Sequence, residues 1–255
     1  MTRHGAKDRI TQSRRAFLVR AGATAAGLVL APGLLPRGLW AAGVPRGALR
    51  IGIIGSGQMG GAVGLQWARA GHEILFSSRH PEELTELVER AGSGARAGLP
   101  QEAATFGEVV LIAVPYGALP QVGQDYAPLM QGKVVIDCGN PRADRDGPMA
   151  DDAIARGTGV ASAEYLPGVR LVRAFNALSA RQVEREAHRE GEKIGIPIAA
   201  DDQDAIQTVV DLVVDAGFDP VVVGALSRAR EFDRGTPVYV RGMTAAQLRE
   251  AMGLR

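Results

Sequence analysis

Residues 49–60 read LRIGIIGSGQMG. A short apolar run rich in isoleucine passes directly into Gly55-Ser56-Gly57-Gln58-Met59-Gly60, and a helical pattern continues to residue 70. The spacing G-x-G-x-x-G is weak evidence by itself. Placed between a strand and a helix start, it reads as a dinucleotide-binding fingerprint. Gly55 permits the tight turn, Gly57 lets backbone approach a pyrophosphate, and Gly60 lets helix and strand pack closely. The free N–H groups at the helix start then face the phosphates.

Outward from this point the same alternation repeats. The runs HEILFSSR (72–79), EVVLIAVP (108–115), KVVIDCGN (133–140), RLVRAFN (170–176), IPIAA (196–200) and DPVVVGA (219–225) are strand-sized. Helical stretches at 59–70, 81–91 and 202–216 lie among them. Unbroken apolar strands covered on both faces, joined by helices, predict a mainly parallel sheet. The fold class is therefore α/β, a doubly wound NAD(P)-binding Rossmann fold. Asp201 and Asp202 are expected to cap the helix at 202–216, and Gly217 to end it. Residues 140–159, polar and glycine-containing, read as a long loop with a short helix where strand order changes. The expected organisation is residues 1–43 as a signal segment, 44–178 as the Rossmann domain, and 179–255 as a small α/β lobe completing the acceptor cleft.

The end of the second strand selects the nucleotide. An NAD site usually places an acid about twenty residues beyond the glycines, to bind the ribose 2′-hydroxyl. Here the chain reads Ser77-Ser78-Arg79-His80. Hydroxyls and a guanidinium suit a 2′-phosphate, which a carboxylate would repel. NADP(H) is the expected cofactor. His80 either adds a polar contact or faces water.

Charge is unevenly divided. The net +1 hides nine basic residues against one acid in residues 1–50, so the remainder carries −7. An acidic body argues against phosphate-backbone binding, and nucleic acid is not an expected partner. The first 43 residues run basic, then apolar, then small, which is the layout of a secretory signal. Ser13-Arg14-Arg15-Ala16-Phe17-Leu18 resembles the twin-arginine export motif, so the twin-arginine translocation machinery is an expected partner. The expectation is a periplasmic or envelope protein, or one tethered at the inner membrane by an uncleaved signal. The single cysteine, Cys138, cannot form an intramolecular disulfide and reads as a packed strand-end thiol. No cluster of histidine and cysteine has metal-ligand spacing.

Six stretches carry a family resemblance: GSGQMG (55–60), SSRHPEE (77–83), AVPYGAL (113–119), VIDCGNP (135–141), LVRAFNAL (171–178) and GALSRAREFD (224–233). In that order they resemble the NADPH-dependent deazaflavin (coenzyme F-420) reductases. They are equally similar to the cytoplasmic oxidoreductase domain of the six-transmembrane (STEAP) ferric and cupric reductases. The resemblance implies that Ser56, Gln58 and Met59 cradle the pyrophosphate and that Ser78 and Arg79 hold the 2′-phosphate. It implies that Val114 and Pro115 line the nicotinamide side, while Asn140, Pro141, Phe175 and Asn176 shape the wall where a hydride acceptor stacks. The residues themselves leave other readings open: Val114-Pro115 as a strand end, Asn140-Pro141 as a turn, Phe175 as core.

The implied activity is hydride transfer between NADP(H) and a small-molecule acceptor, either deazaflavin or a flavin such as FMN or FAD. The alternatives are a flavin-mediated ferric or cupric reductase, or a non-catalytic NADP-binding redox sensor. Ring-to-ring hydride transfer asks the protein for orientation and water exclusion, which fits a chain offering no catalytic dyad. β-Hydroxyacid dehydrogenases and cyclic-imine reductases share the glycine motif but carry a large helical second domain that this chain lacks. C-terminal strands in the deazaflavin family often pair subunits, which makes a homodimer one expectation.

Overall fold

The protein is described from a computed structural model over residues 47–254; the expected signal at 1–43 lies outside the described residues. Eight strands form one sheet: β1 (Arg50–Ile54), β2 (Glu73–Ser77), β3 (Ala95–Gly98), β4 (Val109–Ile112), β5 (Val134–Asp137), β6 (Arg170–Arg173), β7 (Gly195–Ala200) and β8 (Asp219–Gly224). Their spatial order is β3-β2-β1-β4-β5-β6-β7-β8. Neighbours from β3 to β6 are parallel, β6 and β7 pair antiparallel, and β7 and β8 are parallel to each other. The chain moves outward from β1 to β3, then returns to place β4 on the other side of β1. That reversal opens a crevice at the strands' carboxyl ends, where ligands bind in such sheets.

The helices follow in chain order: α1 (Gln58–Arg69), α2 (Thr85–Ala91), α3 (Pro100–Phe106), α4 (Leu119–Tyr126), α5 (Ala143–Asp146), α6 (Pro148–Arg156), α7 (Thr158–Tyr165), α8 (Ala180–Glu186), α9 (Gln203–Asp215) and α10 (Ala245–Ala251). They cover both faces. On one, Val109, Leu111 and Ile136 pack with Trp67 of α1 and Leu212 of α9. On the other, Val110, Ile112 and Val135 pack with Ala103 of α3 and Ala161 of α7. Successive strand residues point to opposite faces, so continuous apolar runs are what a doubly covered sheet needs.

Asp202 accepts the Ala205 N–H at 2.8 Å as the α9 cap, and Gly217 follows that helix with φ +86°. Residues 179–254 do not stand off from the sheet, because β7 and β8 continue it. They add a separate apolar cluster that includes Ala199, Val221, Phe232 and Leu248.

Residues 140–159 are a correction. The expected long loop is largely helical, comprising α5, α6 and the start of α7. Gly147 (φ +68°) and Gly157 (φ +92°) break the chain between these helices, and Pro148 opens α6. Ala150, Ala153 and Ala161 bury the inner faces. Small side chains give a faint periodic signal, which is why the polar residues dominated the reading.

Candidate nucleotide and acceptor site

The glycine loop joins β1 to α1 at the crevice. Gly55 takes φ +94°, and a Cβ there would sit 2.8 Å from both the Ala113 carbonyl and the Val114 side chain. A Cβ at Gly60 would meet the Gly55 carbonyl at 2.1 Å. At Gly57 the situation reverses: a Cβ would meet nothing within 4 Å. Packing therefore does not require a glycine at position 57. Its open face lies at the start of a twelve-residue helix with no side-chain cap and no acid in its first turn. Unpaired N–H groups at such an end attract an anion, and a pyrophosphate fits there.

The expected binding residues divide. Gln58 is exposed and Met59 half-buried at the helix start. The Ser56 hydroxyl accepts the Ser77 N–H at 2.8 Å, which ties the loop to β2. Ser77 corrects the sequence reading. It is fully buried, and its hydroxyl donates to the Ile53 carbonyl at 2.6 Å, so it braces β1 against β2 instead of meeting a phosphate. Ser78 is half-buried and accepts the His80 N–H at 3.1 Å. Arg79 is exposed, with no ion-pair or hydrogen-bond partner among the described residues. His80 lies 3.4 Å from the Glu82 carboxylate, both largely in solvent. Val114 is half-buried and Pro115 exposed just beyond β4, across from the loop.

At the ends of β5 and β6, Asn140 Nδ2 donates to the Asn176 carbonyl at 2.8 Å, and Asn176 Nδ2 reaches Asn140 Oδ1 at 3.4 Å. The two asparagines are thus brought together. Phe175 is the second correction. It is fully buried and meets Trp67 edge-on with ring centroids 5.7 Å apart. Its φ of +62° lies in the left-handed region, and the neighbouring Asn176 is buried as well. That conformation costs a non-glycine residue about 1–3 kcal/mol and concentrates at functional sites. Cys138 is buried, and its Sγ donates to the Ile112 carbonyl at 3.4 Å. Burial, reinforced by Asp137, pushes its thiol up to about 12, so it is no nucleophile at neutral pH.

Behind the asparagines lies a buried polar network that sequence reasoning missed. Arg173 is 0% exposed; its Nη1 is 2.7 Å from Asp137 Oδ2 and its Nη2 3.1 Å from Asp233 Oδ1. Burial alone would favour the neutral guanidine, but the two carboxylates outweigh it and keep Arg173 charged. Asp137 also accepts the Ser162 hydroxyl at 2.7 Å and the Gly139 N–H at 2.8 Å. The Tyr116 hydroxyl lies 3.0 Å from Ser162 Oγ, and burial followed by Asp137 raises its pKa, so it stays protonated. Asp233 receives the Asn176 amide at 3.3 Å. Arg173 thereby links β5, β6 and the segment after β8 directly beneath the asparagine pair. The available signal was a charge inside each of two apolar strands, Asp137 in VVID and Arg173 in RLVR. Buried charges are almost always paired.

A cavity of about 670 Å³ opens beside this network, with Pro141, Arg142, Thr158, Arg230, Asp233 and Arg234 in its lining. It neighbours the asparagine pair through Pro141, next to Asn140, and through Asp233, bonded to Asn176. Residues 50–141 match the family described as NADP oxidoreductase, coenzyme F420-dependent. The chain is 28% identical over 200 residues to metalloreductase STEAP3 of Rattus norvegicus, across 74% of this chain but only 37% of that protein. It is 27% identical over 222 residues to the F420-dependent NADP reductase of Methanothermobacter thermautotrophicus, covering 81% of this chain and 94% of that one. A crystal structure of a hypothetical protein from Sinorhizobium meliloti shares the fold with TM-score 0.66 and 25% identity, over 77% of this chain and 94% of that one. The matched segment contains the glycine loop, Arg79, Val114, Pro115 and Asn140, while Asn176, Arg173 and Asp233 lie beyond it.

Proposed function

We propose that the protein is an NADP-dependent oxidoreductase that transfers a hydride from NADPH to a deazaflavin or flavin-type ring. The carrying observation is the cavity beside Asn140 and Asn176, at the same end of the sheet as the glycine loop. A redox sensor has no need of room for a second ring there. The start of α1 around Gly57 and Gln58 would hold the pyrophosphate, and Ser78 with Arg79 the 2′-phosphate. Val114, Pro115 and Asn140 would border the nicotinamide. Bound NADPH supplies the hydride, so the chain's contribution is orientation and exclusion of water. The asparagine pair, backed by Arg173, puts amides rather than a charged acid or base at this end of the sheet, with Asn140 half-buried and Asn176 buried.

A second acceptor class, a ferric or cupric chelate reduced through a flavin, is favoured by the STEAP3 similarity. The test is anaerobic oxidation of NADPH by the full chain, offered F-420, FMN, or FMN with ferric chelate in separate reactions. Turnover above the enzyme-free rate with one acceptor is expected and names the class. NADPH binding without turnover on any of them would sink the reductase reading in favour of a sensor.

We further propose export by the twin-arginine route with nucleotide already bound, since that route carries folded proteins. Recovery of mature chain only from the cytosol would refute it.

A further inference from the structure

The charges gathered behind Asn140 and Asn176 do not balance. Arg173, fully buried, meets two carboxylates, Asp137 Oδ2 at 2.7 Å and Asp233 Oδ1 at 3.1 Å. One carboxylate would neutralise the guanidinium, so one positive charge against two negative leaves the group with an excess negative charge. Unbalanced charge in an interior is costly. The two carboxylates lie at different depths. Asp137 is 1% exposed and also accepts the Ser162 hydroxyl and the Gly139 N–H. Asp233 is 14% exposed and borders the cavity, so the excess lies toward the open side. Asp233 is also tied to Asn140: it accepts the Asn176 amide at 3.3 Å, and Asn140 Nδ2 donates to the Asn176 carbonyl at 2.8 Å. Nearby arginines do not cancel the excess. Arg142 pairs with Asp144 and Arg145 with Asp146, while Arg230 and Arg234 are exposed, where water and salt screen them.

We propose that the Asp137–Arg173–Asp233 group biases the redox balance of the bound nucleotide: its excess negative charge favours the cationic nicotinamide of NADP+ over the neutral ring of NADPH. The protein then holds the oxidised form more tightly, which makes bound NADPH a stronger hydride donor. The assignment rests on the placement of the nicotinamide beside Asn140 in the reading above. As the hydride leaves for the acceptor with both electrons, one positive charge develops on the nicotinamide, and the acceptor takes up a proton from solvent. The carboxylates are fixed in place before that charge appears, so no reorganisation is needed to meet it. Asp233 acts through its charge and through Asn176, as a positioning residue.

The test is the ratio of dissociation constants for NADP+ and NADPH, measured by anaerobic calorimetry on the full chain with no acceptor present. NADP+ is expected to bind about tenfold tighter, the effect of one charge about 10 Å away at an effective dielectric of about 20. That ratio lowers the potential of the bound two-electron couple by about 30 mV. The preference should survive raised salt, because buried charges are screened little. Asp233→Asn should bring the ratio close to one, and Asp233→Glu should keep it. Adenosine 2′,5′-bisphosphate, which lacks the nicotinamide, should bind the parent and Asp233→Asn alike. Should Asp233→Asn fail to fold, the parent's ratio and its response to salt decide. NADPH bound as tightly as NADP+ by the parent, a preference abolished by salt, or a preference unchanged in Asp233→Asn would overturn the assignment. So would an equal loss of NADP+ and bisphosphate binding in that variant, which is the mark of a merely structural role. Binding needs no turnover, so the two readings separate. A preference for NADP+ without turnover on any acceptor would break the reductase reading alone. Turnover with equal affinity for the two nucleotides would break this one alone.

Discussion

At the glycine-loop end of the crevice, six consecutive residues form the core of the proposed nucleotide site. At the proposed acceptor end, Asp137, Asn140, Thr158, Ser162, Arg173, Asn176 and Asp233 arrive from segments far apart in the chain. The first end works through backbone: an uncapped helix start and a glycine whose missing side chain leaves open space. The second works through buried side chains, with one arginine held between two carboxylates. A site made of exposed backbone can change without disturbing the core. A site made of buried charge cannot. Binding and stability should therefore respond to mutation at opposite ends.

The largest expected effect is on the buried charge. Arg173→Met leaves Asp137 and Asp233 facing each other without a cation, and should lower unfolding free energy by about 3–5 kcal/mol in urea titrations. A variant as stable as the parent would break the contrast between the two ends. Gly57→Ala sharpens it from the other side. No protein atom lies within 4 Å of the added Cβ, and the backbone there has φ −74°, so stability should stay within about 0.5 kcal/mol. NADPH binding, measured by calorimetry, should nevertheless weaken about tenfold or more, because the methyl occupies the phosphate's approach. Arg79→Ser should cost less, cutting the preference for NADPH over NADH by about tenfold with stability unchanged.

The smallest effect is an acid dependence at the start of α9. The Asp202 carboxyl is lowered from 3.8 to about 2, first by the Arg170 hydrogen bond and then by the Ala205 N–H it caps. A depressed carboxyl stabilises the folded state above its unfolded value and loses that contribution as pH falls from about 3.8 through about 2. Asp202→Asn should flatten that part of the acid-unfolding curve and leave neutral pH nearly untouched. If the curve keeps its shape, other carboxylates set the acid limit.

The two ends also differ in how far the sequence discloses them. GSGQMG is contiguous, so its three glycines could each be given a role before any folding. Ser77 shows the limit even there. It stands where a phosphate ligand is expected, but its hydroxyl turns inward to the Ile53 carbonyl. Phe175 fails for a similar reason, since its positive φ sends the ring against Trp67. The helix α6 was hidden because Ala150 and Ala153 form its buried face. Asp137 and Arg173 were visible as charges inside apolar runs, but Asp233 lies 60 residues from Arg173, and no local pattern names that partner.

The sequence by itself determined the strand–turn–helix opening, the doubly covered parallel strands and the Asp202 cap. Each rests on short-range sterics, helix periodicity or backbone hydrogen bonding within a few residues. Only the tertiary structure decided that β7 and β8 run against the rest of the sheet. It also decided that Ser77 and Phe175 serve the core, and that Arg173 is clasped by two aspartates beside the asparagine pair. Those outcomes depend on which distant segments exclude water together. Whether a polar group is spent inside the fold or left free for a ligand is settled by that burial.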